Sequence, residues 1–245
     1  GIGVITPYIR QLTAIAADSM GLDELSNGRF ELGLGVPIWK MKAYGYTVKN
    51  LQPLQTLKEA TIILRDLMAG RPTSIESTFF KIPKNLKMGM PPVRKQIPIY
   101  FGVVNKLMLR LAGEISDFIE LGACSHSAYA AWATKEVEKG ATRGGRTLKE
   151  VPIHGHVLTC IDDDSDKARN HAKPMLAWYF GFLEDIMFQG IGMPDNTRDE
   201  IREIYKKEGV EGVIPMITDK TLDLIGAIGT PDEVIAGLKR YSGTG

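Results

Sequence analysis

The side chains that could carry chemistry in this sequence are few, and they follow or lie in apolar runs. His154 and His156 stand two residues apart, so in a strand they share one face. Since they have no carboxylate or third ligand beside them, we expect hydrogen-bonded core residues and no metal site. The run "CSHS" at 124–127 places Ser125 and His126 after another apolar run. We expect both to contact a substrate, with helix capping by Ser125 as the alternative.

Two further motifs have simpler interpretations. The run "GLGV" at 33–36 matches only part of a dinucleotide-binding fingerprint, and no GxGxxG or Walker-type motif follows an early strand pattern. We therefore interpret it as tight packing where a strand meets its crossover. The acidic cluster "IDDDSD" at 161–166 is expected to end a strand and cap the next helix.

The composition favours a globular protein without a highly charged partner. The chain has 245 residues, 44% of them hydrophobic, and its 30 basic and 29 acidic residues leave a formal net charge of +1. That balance provides no attractive field for nucleic acid or an anionic membrane, and no apolar run is long enough to span a bilayer. Cys124 and Cys160 have no CxxC partner, which argues against a disulfide framework or a zinc site. We expect a cytoplasmic protein.

Strand and helix patterns alternate along most of the chain. Short apolar runs predict strands at 1–5, 29–36, 97–104, 117–124 and 151–162. Amphipathic spacing predicts helices at 12–25, 53–70, 106–114 and 127–145, and a last helix with Thr230 as its N-cap. The connection 71–96 contains a small strand pattern, "STFFKI", and 163–228 is expected to be helical and irregular. This alternation implies parallel pairing, so the fold class is α/β, either a doubly wound sheet or a (β/α)8 barrel.

Five motifs, taken in their order along the chain, carry a family resemblance. They are "GVITPYIR", "LDELSNGRFELGLGV", "PPVRKQIPIYFGVV", "MLRLAGEISD" and "GTPDEVI". Together they resemble the bacterial luciferase-like superfamily, and within it the coenzyme F420-dependent branch that includes the methylenetetrahydromethanopterin reductases. The resemblance implies a (β/α)8 TIM barrel of luciferase-like type, a single domain over 1–245 with 71–96 and 163–228 as insertions or irregular segments. It matches "GVITPYIR" to the third barrel strand, so we expect a fragment that lacks the first two strands and the last one.

The resemblance also implies a cofactor site near the beginning of the chain. In such relatives the deazaflavin ring of F420 lies against a bulge, and the peptide bond at the position of Gly3-Val4 is cis. A non-prolyl cis bond costs about 3–4 kcal/mol, so it persists only where the surrounding structure enforces it. The residues expected to bind the cofactor here are Gly3, Val4, Ile5, Thr6 and Gly35.

By the same resemblance, the phosphate of the cofactor is expected on the turn after the strand at 97–104. Relatives use a glycine-rich turn there, and backbone amides at a helix N-terminus bind phosphate well. Where Gly-Pro is common in the family, this chain has Asn105-Lys106. Asparagine tolerates a left-handed backbone and lysine adds positive charge, although a solvated surface lysine is the alternative for Lys106. The residues of this phosphate turn are Gly102, Val103, Val104, Asn105 and Lys106.

The sequence departs from the family after the strand at 29–36. F420-dependent relatives usually carry an acidic residue there, near the reacting centre, whereas this chain has Pro37, Ile38 and Trp39. The resemblance therefore leaves the catalytic residues unassigned. Trp39 is expected to form a wall of the substrate pocket, with ordinary packing as the alternative.

Three functions are compatible with these observations. The first is an F420-dependent oxidoreductase that transfers a hydride between the deazaflavin and a small organic substrate, as a methylenetetrahydromethanopterin reductase does. The second is an FMN-dependent luciferase-like monooxygenase, which consumes oxygen; deazaflavin has carbon in place of N5 and excludes that chemistry. The third is a catalytically silent barrel that binds a ligand, which the missing acid after Gly35 favours. Relatives form homodimers or larger homo-oligomers, and the apolar run 175–188 is expected to pack against a partner or line the pocket entrance.

Overall fold

The computed structural model is an α/β structure and describes residues 1–47, 51–188 and 195–242. Its strands are β1 (Ile2–Ile5), β2 (Leu32–Leu34), β3 (Ile99–Val103), β4 (Phe118–Ala123), β5 (Ile153–His156), β6 (Leu158–Ile161) and β7 (Gly226–Gly229). Its helices are α1 (Leu12–Leu25), α2 (Ile38–Ala43), α3 (Pro53–Met68), α4 (Lys106–Ile115), α5 (Ser127–Arg143), α6 (Ser165–Phe180), α7 (Asp185–Phe188), α8 (Asp195–Val213), α9 (Asp219–Ile225) and α10 (Pro231–Lys239). None of these described helices is both long and apolar enough to cross a membrane.

The strands form two sheets. One has the order β1-β2-β3-β4-β5, and the other pairs β6 with β7. β2 runs parallel to both of its neighbours, and its Leu34 is in register with Ile5 of β1 and Phe101 of β3. β6 and β7 are also parallel, with Leu158 opposite Gly226. Parallel neighbours require crossover connections, and helices supply them here, as the alternating sequence pattern predicts.

The chain divides into two compact units. The first contains Gly1–Val103, Leu107–Ile119 and Val137–Pro152. The second contains Val104–Lys106, Glu120–Glu136 and Ile153–Gly245. In the first unit α1 packs against α3, and in the second α6 and α10 pack on the β6–β7 sheet. Each unit therefore has its own apolar core.

Helix ends that depend on local signals lie close to their predicted positions. α1 spans the predicted range 12–25 and is followed by Asn27 (φ 53°) and Gly28 (φ 73°), whose left-handed backbone ends a helix. α10 has the predicted capping box, in which the Thr230 N–H donates to the Glu233 carboxylate at 2.7 Å. Asp164 caps α6 by accepting hydrogen bonds from two backbone amides, as the acidic cluster predicts.

Elements that depend on distant partners differ from the prediction. The single strand predicted at 151–162 is wrong, because β5 ends at His156 and β6 begins at Leu158 in the other sheet. Its partner β7 forms where irregular chain was expected, and α2 forms where no helix was predicted. The "STFFKI" segment makes one antiparallel bridge, between Ser77 and Ile82, instead of a strand.

The expected cis peptide bond is also wrong. Every peptide bond between described residues is trans, including Gly3–Val4. The expected bulge is present, because Ile2 pairs with Leu32 while Ile5 pairs with Leu34, so three steps along β1 match two along β2. A trans bulge absorbs the extra residue without the cost of about 3–4 kcal/mol that a non-prolyl cis bond carries.

Close helix packing in the first unit explains the motif "MLRLAGEISD". A Cβ atom added at Gly140 of α5 would lie 1.9 Å from the Arg110 carbonyl oxygen of α4. One added at Gly113 would lie 2.2 Å from the Val137 carbonyl oxygen. The two helices therefore approach each other at a distance that only glycine permits at these positions. The glycine of the motif serves packing.

Candidate functional site

In the first unit, the expected cofactor residues lie at the edge of the parallel sheet that is formed by the carboxyl ends of its strands. Ile5, Leu34 and Phe101 are in register; β1 and β2 end at Ile5 and Leu34, and β3 continues to Val103. The Gly35 N–H donates to the Ile5 carbonyl at 3.1 Å and closes this edge. The carboxyl ends of parallel strands are where barrel enzymes place their sites, so the edge has the position that the prediction requires.

The Val4 side chain fills the space left by two glycines at this edge. A Cβ atom on Gly102 would lie 2.5 Å from Val4 Cγ1, and one on Gly35 would lie 3.1 Å from Val4 Cγ2. The Val4 side chain therefore packs against Gly35, which follows β2, and against Gly102 of β3. On the other side, Gly3 is exposed, and a Cβ atom there would meet no described heavy atom within 4 Å. The bulge thus presents bare backbone that a planar ring can approach.

Thr6 carries a buried polar group that lacks a partner. Its residue is 5% exposed, and its Oγ1 makes no hydrogen bond within the described part of the chain. A buried hydroxyl left unpaired costs about 1–3 kcal/mol, so such groups are uncommon outside functional sites. The bare backbone at Gly3 and the unpaired hydroxyl at Thr6 fit a flat ligand with polar edges, as a deazaflavin or flavin is.

Tyr8 is a residue near this edge that sequence reasoning missed. Its hydroxyl donates to the Leu51 carbonyl, its own carbonyl accepts from the Tyr46 hydroxyl at 3.1 Å, and its ring meets Phe79 edge-on at 5.5 Å. Burial raises the pKa of Tyr8, against a smaller opposing effect of a hydrogen bond with Thr56, so the hydroxyl stays protonated. The signal in the sequence that could have identified Tyr8 was the presence of an aromatic residue directly after the turn Thr6-Pro7.

The segment that lacks the family's acidic residue forms a short helix. Pro37 precedes α2, and its carbonyl accepts a hydrogen bond from the Met41 amide at 3.0 Å. Met41 is fully buried and anchors the helix. Trp39 lies within α2, but its side chain is outside the described residues, so its assignment to the substrate pocket stays a prediction.

Of the expected phosphate turn, Gly102 and Val103 lie in β3, and in the second unit Val104 contacts β4 and α5. The Val104 carbonyl accepts a hydrogen bond from the Tyr129 hydroxyl at 2.7 Å. A Cβ atom on Gly122 would lie 2.5 Å from Val104 Cγ1, so Val104 rests directly on the β4 backbone. The next residue is Asn105, and α4 begins at Lys106, as predicted.

Ser125 and His126 lie together after β4, and both are buried. The Ser125 hydroxyl donates to the Gly122 carbonyl, and the Ser125 amide donates to the His156 carbonyl at 3.2 Å. His126 Nδ1 accepts from the Tyr129 amide at 3.2 Å, which requires the hydrogen on Nε2, and Nε2 lies 3.0 Å from the Met187 carbonyl. His126, rather than Ser125, therefore caps α5.

The ionisable groups of this loop are held neutral. Burial lowers the pKa of His126, and the hydrogen bond to Met187 opposes this only in part. Burial raises the pKa of the Cys124 thiol to about 12, so the thiolate that would act as a nucleophile is not populated near neutral pH. Cys124 also has a left-handed backbone, with φ at 64°, which is uncommon for a residue other than glycine. Neither Cys124 nor His126 is therefore suited to exchange protons near neutral pH.

The expectation that His154 and His156 are core residues is wrong. Both are exposed, because β5 is the last strand of its sheet and this part of it is uncovered. His156 Nε2 lies 3.4 Å from the Glu120 carboxylate, a neighbour that the sequence order does not reveal. Among the described residues, no group of three histidine, cysteine or acidic side chains is placed to hold a metal ion.

The apolar run 175–188 has two different faces. Phe180, Met187 and Phe188 are buried in the second unit. Trp178 is 42% exposed, and its ring packs edge-on against that of Phe182 at 4.5 Å. The buried face packs α6 and α7 into the second unit, and the exposed face forms an aromatic surface at Trp178.

Known proteins resemble this chain along its whole length. The family described as luciferase-like monooxygenase matches residues 1–245. The 5,10-methylenetetrahydromethanopterin reductase of Methanolobus tindarius is 32% identical over 235 residues, which cover 95% of this chain and 70% of that protein. The reductase of the same name from Archaeoglobus fulgidus is 29% identical over 250 residues, which cover 100% of this chain and 74% of that protein.

A solved structure shows the fold. The coenzyme F420-dependent tetrahydromethanopterin reductase from Methanopyrus kandleri superimposes with a TM-score of 0.88 at 23% identity. The match covers 99% of this chain and 74% of that one. The predicted fold class, an α/β barrel fold of luciferase-like type, is confirmed.

Proposed function

The chain belongs to the luciferase-like monooxygenase family, and we propose that it is a coenzyme F420-dependent oxidoreductase that transfers a hydride between the deazaflavin and a small organic substrate. Its similarity to two 5,10-methylenetetrahydromethanopterin reductases supports a reaction of that type. The structural observation that carries the proposal is the buried hydroxyl of Thr6, which has no partner among the described residues, together with the bare backbone at Gly3. Both features are suited to a flat cofactor.

The bulge of β1 is proposed to hold the ring. When bound, the deazaflavin supplies the hydride chemistry. Gly3 offers a backbone face without a side chain, and Val4, packed against Gly35 and Gly102, prevents the bulge from relaxing into the strand. Ile5 and Thr6 complete this face, and the cofactor would give the Thr6 hydroxyl the hydrogen-bond partner that it lacks among the described residues. Rigid support of this kind keeps a reacting centre in position.

The turn from Gly102 to Lys106 is proposed to hold the phosphate. Backbone amides at the start of α4 and the positive charge of Lys106 favour an anion. Asn105 replaces the glycine that is common in the family, and its backbone is not left-handed in the structure, so the turn does not depend on glycine at this position. The turn therefore supplies affinity, while the bulge supplies orientation.

Ser125 and His126 are proposed to form a wall of the substrate pocket. Their side-chain polar atoms form hydrogen bonds with backbone groups, and His126 is neutral because burial lowers its pKa. They are therefore proposed to contact the substrate without exchanging protons. In the first unit, Trp39 of α2 is proposed separately as a residue that contacts the substrate. No acid is assigned to protonation, since residues 36–39 contain no carboxylate.

The organisation of the protein is proposed on the same basis. We propose a single barrel domain over 1–245, a homodimer or larger homo-oligomer, and a cytoplasmic location. The exposed aromatic surface at Trp178 supports burial against a second copy of the chain. Size-exclusion chromatography with light scattering tests the oligomer directly.

A turnover assay tests the reaction. Reduced F420 and 5,10-methylenetetrahydromethanopterin are mixed with the purified protein without oxygen, and oxidised F420 is followed by its fluorescence. We expect enzyme-dependent formation of oxidised F420 only when both compounds are present. Oxidation without the pterin, or none at all, contradicts the proposed reaction.

The alternative is an FMN-dependent monooxygenase, which the description of the matching family favours. It predicts oxygen consumption with reduced FMN and an organic substrate, and no turnover of F420. An oxygen electrode separates the two, because deazaflavin does not support that oxygen chemistry. Binding without turnover of either cofactor would instead favour the silent barrel.

A further inference from the structure

One hydrogen bond fixes the centre of the phosphate turn. The Tyr129 hydroxyl donates to the Val104 carbonyl at 2.7 Å, and the Tyr129 residue is 2% exposed. In a trans peptide the carbonyl oxygen and the following N–H point in opposite directions. Holding the Val104 carbonyl toward Tyr129 therefore directs the Asn105 N–H to the opposite side. The orientation of this amide is set by a side chain 25 residues further along the chain.

A second contact holds the same residue. Val104 Cγ1 occupies the position beside Gly122, where an added Cβ atom would lie 2.5 Å away. The Ser125 hydroxyl donates to the Gly122 carbonyl and so fixes that stretch of β4. Val104 is thus held by a hydrogen bond at its carbonyl and by direct packing at its side chain.

Tyr129 itself has little freedom to move. Its amide donates to His126 Nδ1 at 3.2 Å, and its ring packs against the Trp132 ring with the centroids 5.8 Å apart. His126 is tied in turn to the Met187 carbonyl at 3.0 Å. A hydroxyl on such a scaffold can orient a backbone group without movement of its own.

We propose that Tyr129 is a positioning residue for the phosphate turn, and that it presents the turn amides to the phosphate group of the cofactor through the Val104 carbonyl. The inference rests on the proposed function, since it concerns the same cofactor. Tyr129 touches neither the ring nor the substrate in this role. Its contribution is therefore confined to ligands that carry the phosphate.

Comparing two deazaflavins tests this directly. The affinity of the unsubstituted protein and of Tyr129→Phe is measured by fluorescence titration with F420 and with the deazaflavin riboside that lacks the phosphate and its tail. For Tyr129→Phe we expect a dissociation constant about 3- to 10-fold larger for F420, as the loss of one hydrogen bond implies, and an unchanged one for the riboside. Equal weakening of both, or of neither, overturns the positioning role.

Two further variants keep the result interpretable. Tyr241→Phe is the matched control, because the Tyr241 hydroxyl also donates to a backbone carbonyl, that of Ile225, at 3.4 Å. It should change neither affinity. Gly122→Ala displaces Val104 while leaving the Tyr129 hydroxyl in place, and it should also weaken F420 binding alone. If it weakens neither ligand, the proposal fails even where Tyr129→Phe does not fold.

The test also separates this inference from the function on which it rests. If the unsubstituted protein does not bind F420, the proposed function fails and this role fails with it. If the unsubstituted protein binds F420 and Tyr129→Phe binds it equally well, only the positioning role is overturned.

Discussion

The Arg94 guanidinium binds the Asp23 carboxylate through two hydrogen bonds, Nη2 to Oδ1 at 2.8 Å and Nε to Oδ2 at 3.1 Å. The Asp23 side chain is 1% exposed, and the Phe30 amide also donates to it, at 3.3 Å. The pair joins the motif "LDELSNGR" to the segment "PPVRKQ", 71 residues apart. One role of the motif "LDELSNGR" is therefore to anchor the fold.

Removing that carboxylate should be strongly destabilising. We expect Asp23→Asn to lower the free energy of unfolding by about 3 kcal/mol, because it leaves a largely buried guanidinium without its countercharge. Urea denaturation measures this loss. Asp18→Asn is the matched control, since the Arg10–Asp18 pair is half exposed and is worth about 1 kcal/mol or less. Equal losses in the two variants would remove the anchoring role from Asp23.

The helix contact at Gly140 should not accept even one methyl group. Gly140→Ala is expected to cost about 2 kcal/mol or more, because the added Cβ atom would lie 1.9 Å from a backbone oxygen of Arg110. Gly21→Ala, within α1, is the control, because its Cβ atom would meet nothing described within 4 Å. It should stabilise the protein by up to about 1 kcal/mol through helix propensity. The midpoints of thermal unfolding should move in opposite directions.

Replacing Thr6 should make the protein more stable and weaken its binding of F420. Thr6→Val removes a buried group that has no described partner, so we expect the free energy of unfolding to rise by about 1 kcal/mol. F420 binding should weaken in the same variant. Thr56→Val is the control, because the Thr56 hydroxyl donates to the Leu51 carbonyl at 2.7 Å and its loss should destabilise. A Thr6→Val variant that is less stable, or that binds F420 as before, contradicts the role given to Thr6.

The burial of His126 should make stability depend on pH. Its pKa in the folded protein is lowered from 6.5 by burial, so the unfolded chain binds a proton more readily. Stability from this group is complete above about pH 6.5 and is lost as pH falls toward the folded pKa, with a slope of at most about 1.4 kcal/mol per pH unit. Urea denaturation between pH 7.5 and pH 5, in steps of about half a unit, measures the slope. His126→Asn should reduce it, and an unchanged slope would contradict the assignment.

The two thiols should react at different rates. Burial raises the pKa of Cys124 to about 12, whereas Cys160 is partly exposed. At pH 8 we expect a thiol reagent to label Cys160 readily in the native protein and to label Cys124 only after unfolding. Mass spectrometry of digested, labelled protein identifies the modified residue. Rapid native labelling of Cys124 would show that the loop after β4 opens.

Local signals in the sequence predict local structure well in this chain. The bounds of α1 follow from an amphipathic run and the stop at Ser26-Asn27-Gly28, and α10 follows from its capping box. The break between β5 and β6 was not predictable in this way. β6 pairs with β7, so Leu158 takes its partner from position 226, and no short window of sequence contains both.

The candidate site also has parts that the sequence predicted and parts that depend on contacts between distant residues. The bulge at Gly3–Val4 was predicted through the family resemblance and the start of α4 at Lys106 through amphipathic spacing, and both are present. The hydrogen bond from Tyr129 to the turn was not predictable, because the pattern of an amphipathic helix predicts only that such a tyrosine packs in the core. Its hydroxyl acquires a role only when the fold brings it to the Val104 carbonyl. Long-range contacts of this kind give the site its geometry.

The most direct test of the central proposal is a parallel fluorescence titration of the purified, mass-verified protein with F420 and with FMN. We predict saturable binding of F420 and much weaker binding of FMN, which would identify a two-electron deazaflavin enzyme. A preference for FMN would contradict the proposal and favour the monooxygenase. Binding of neither would contradict both and leave a silent barrel.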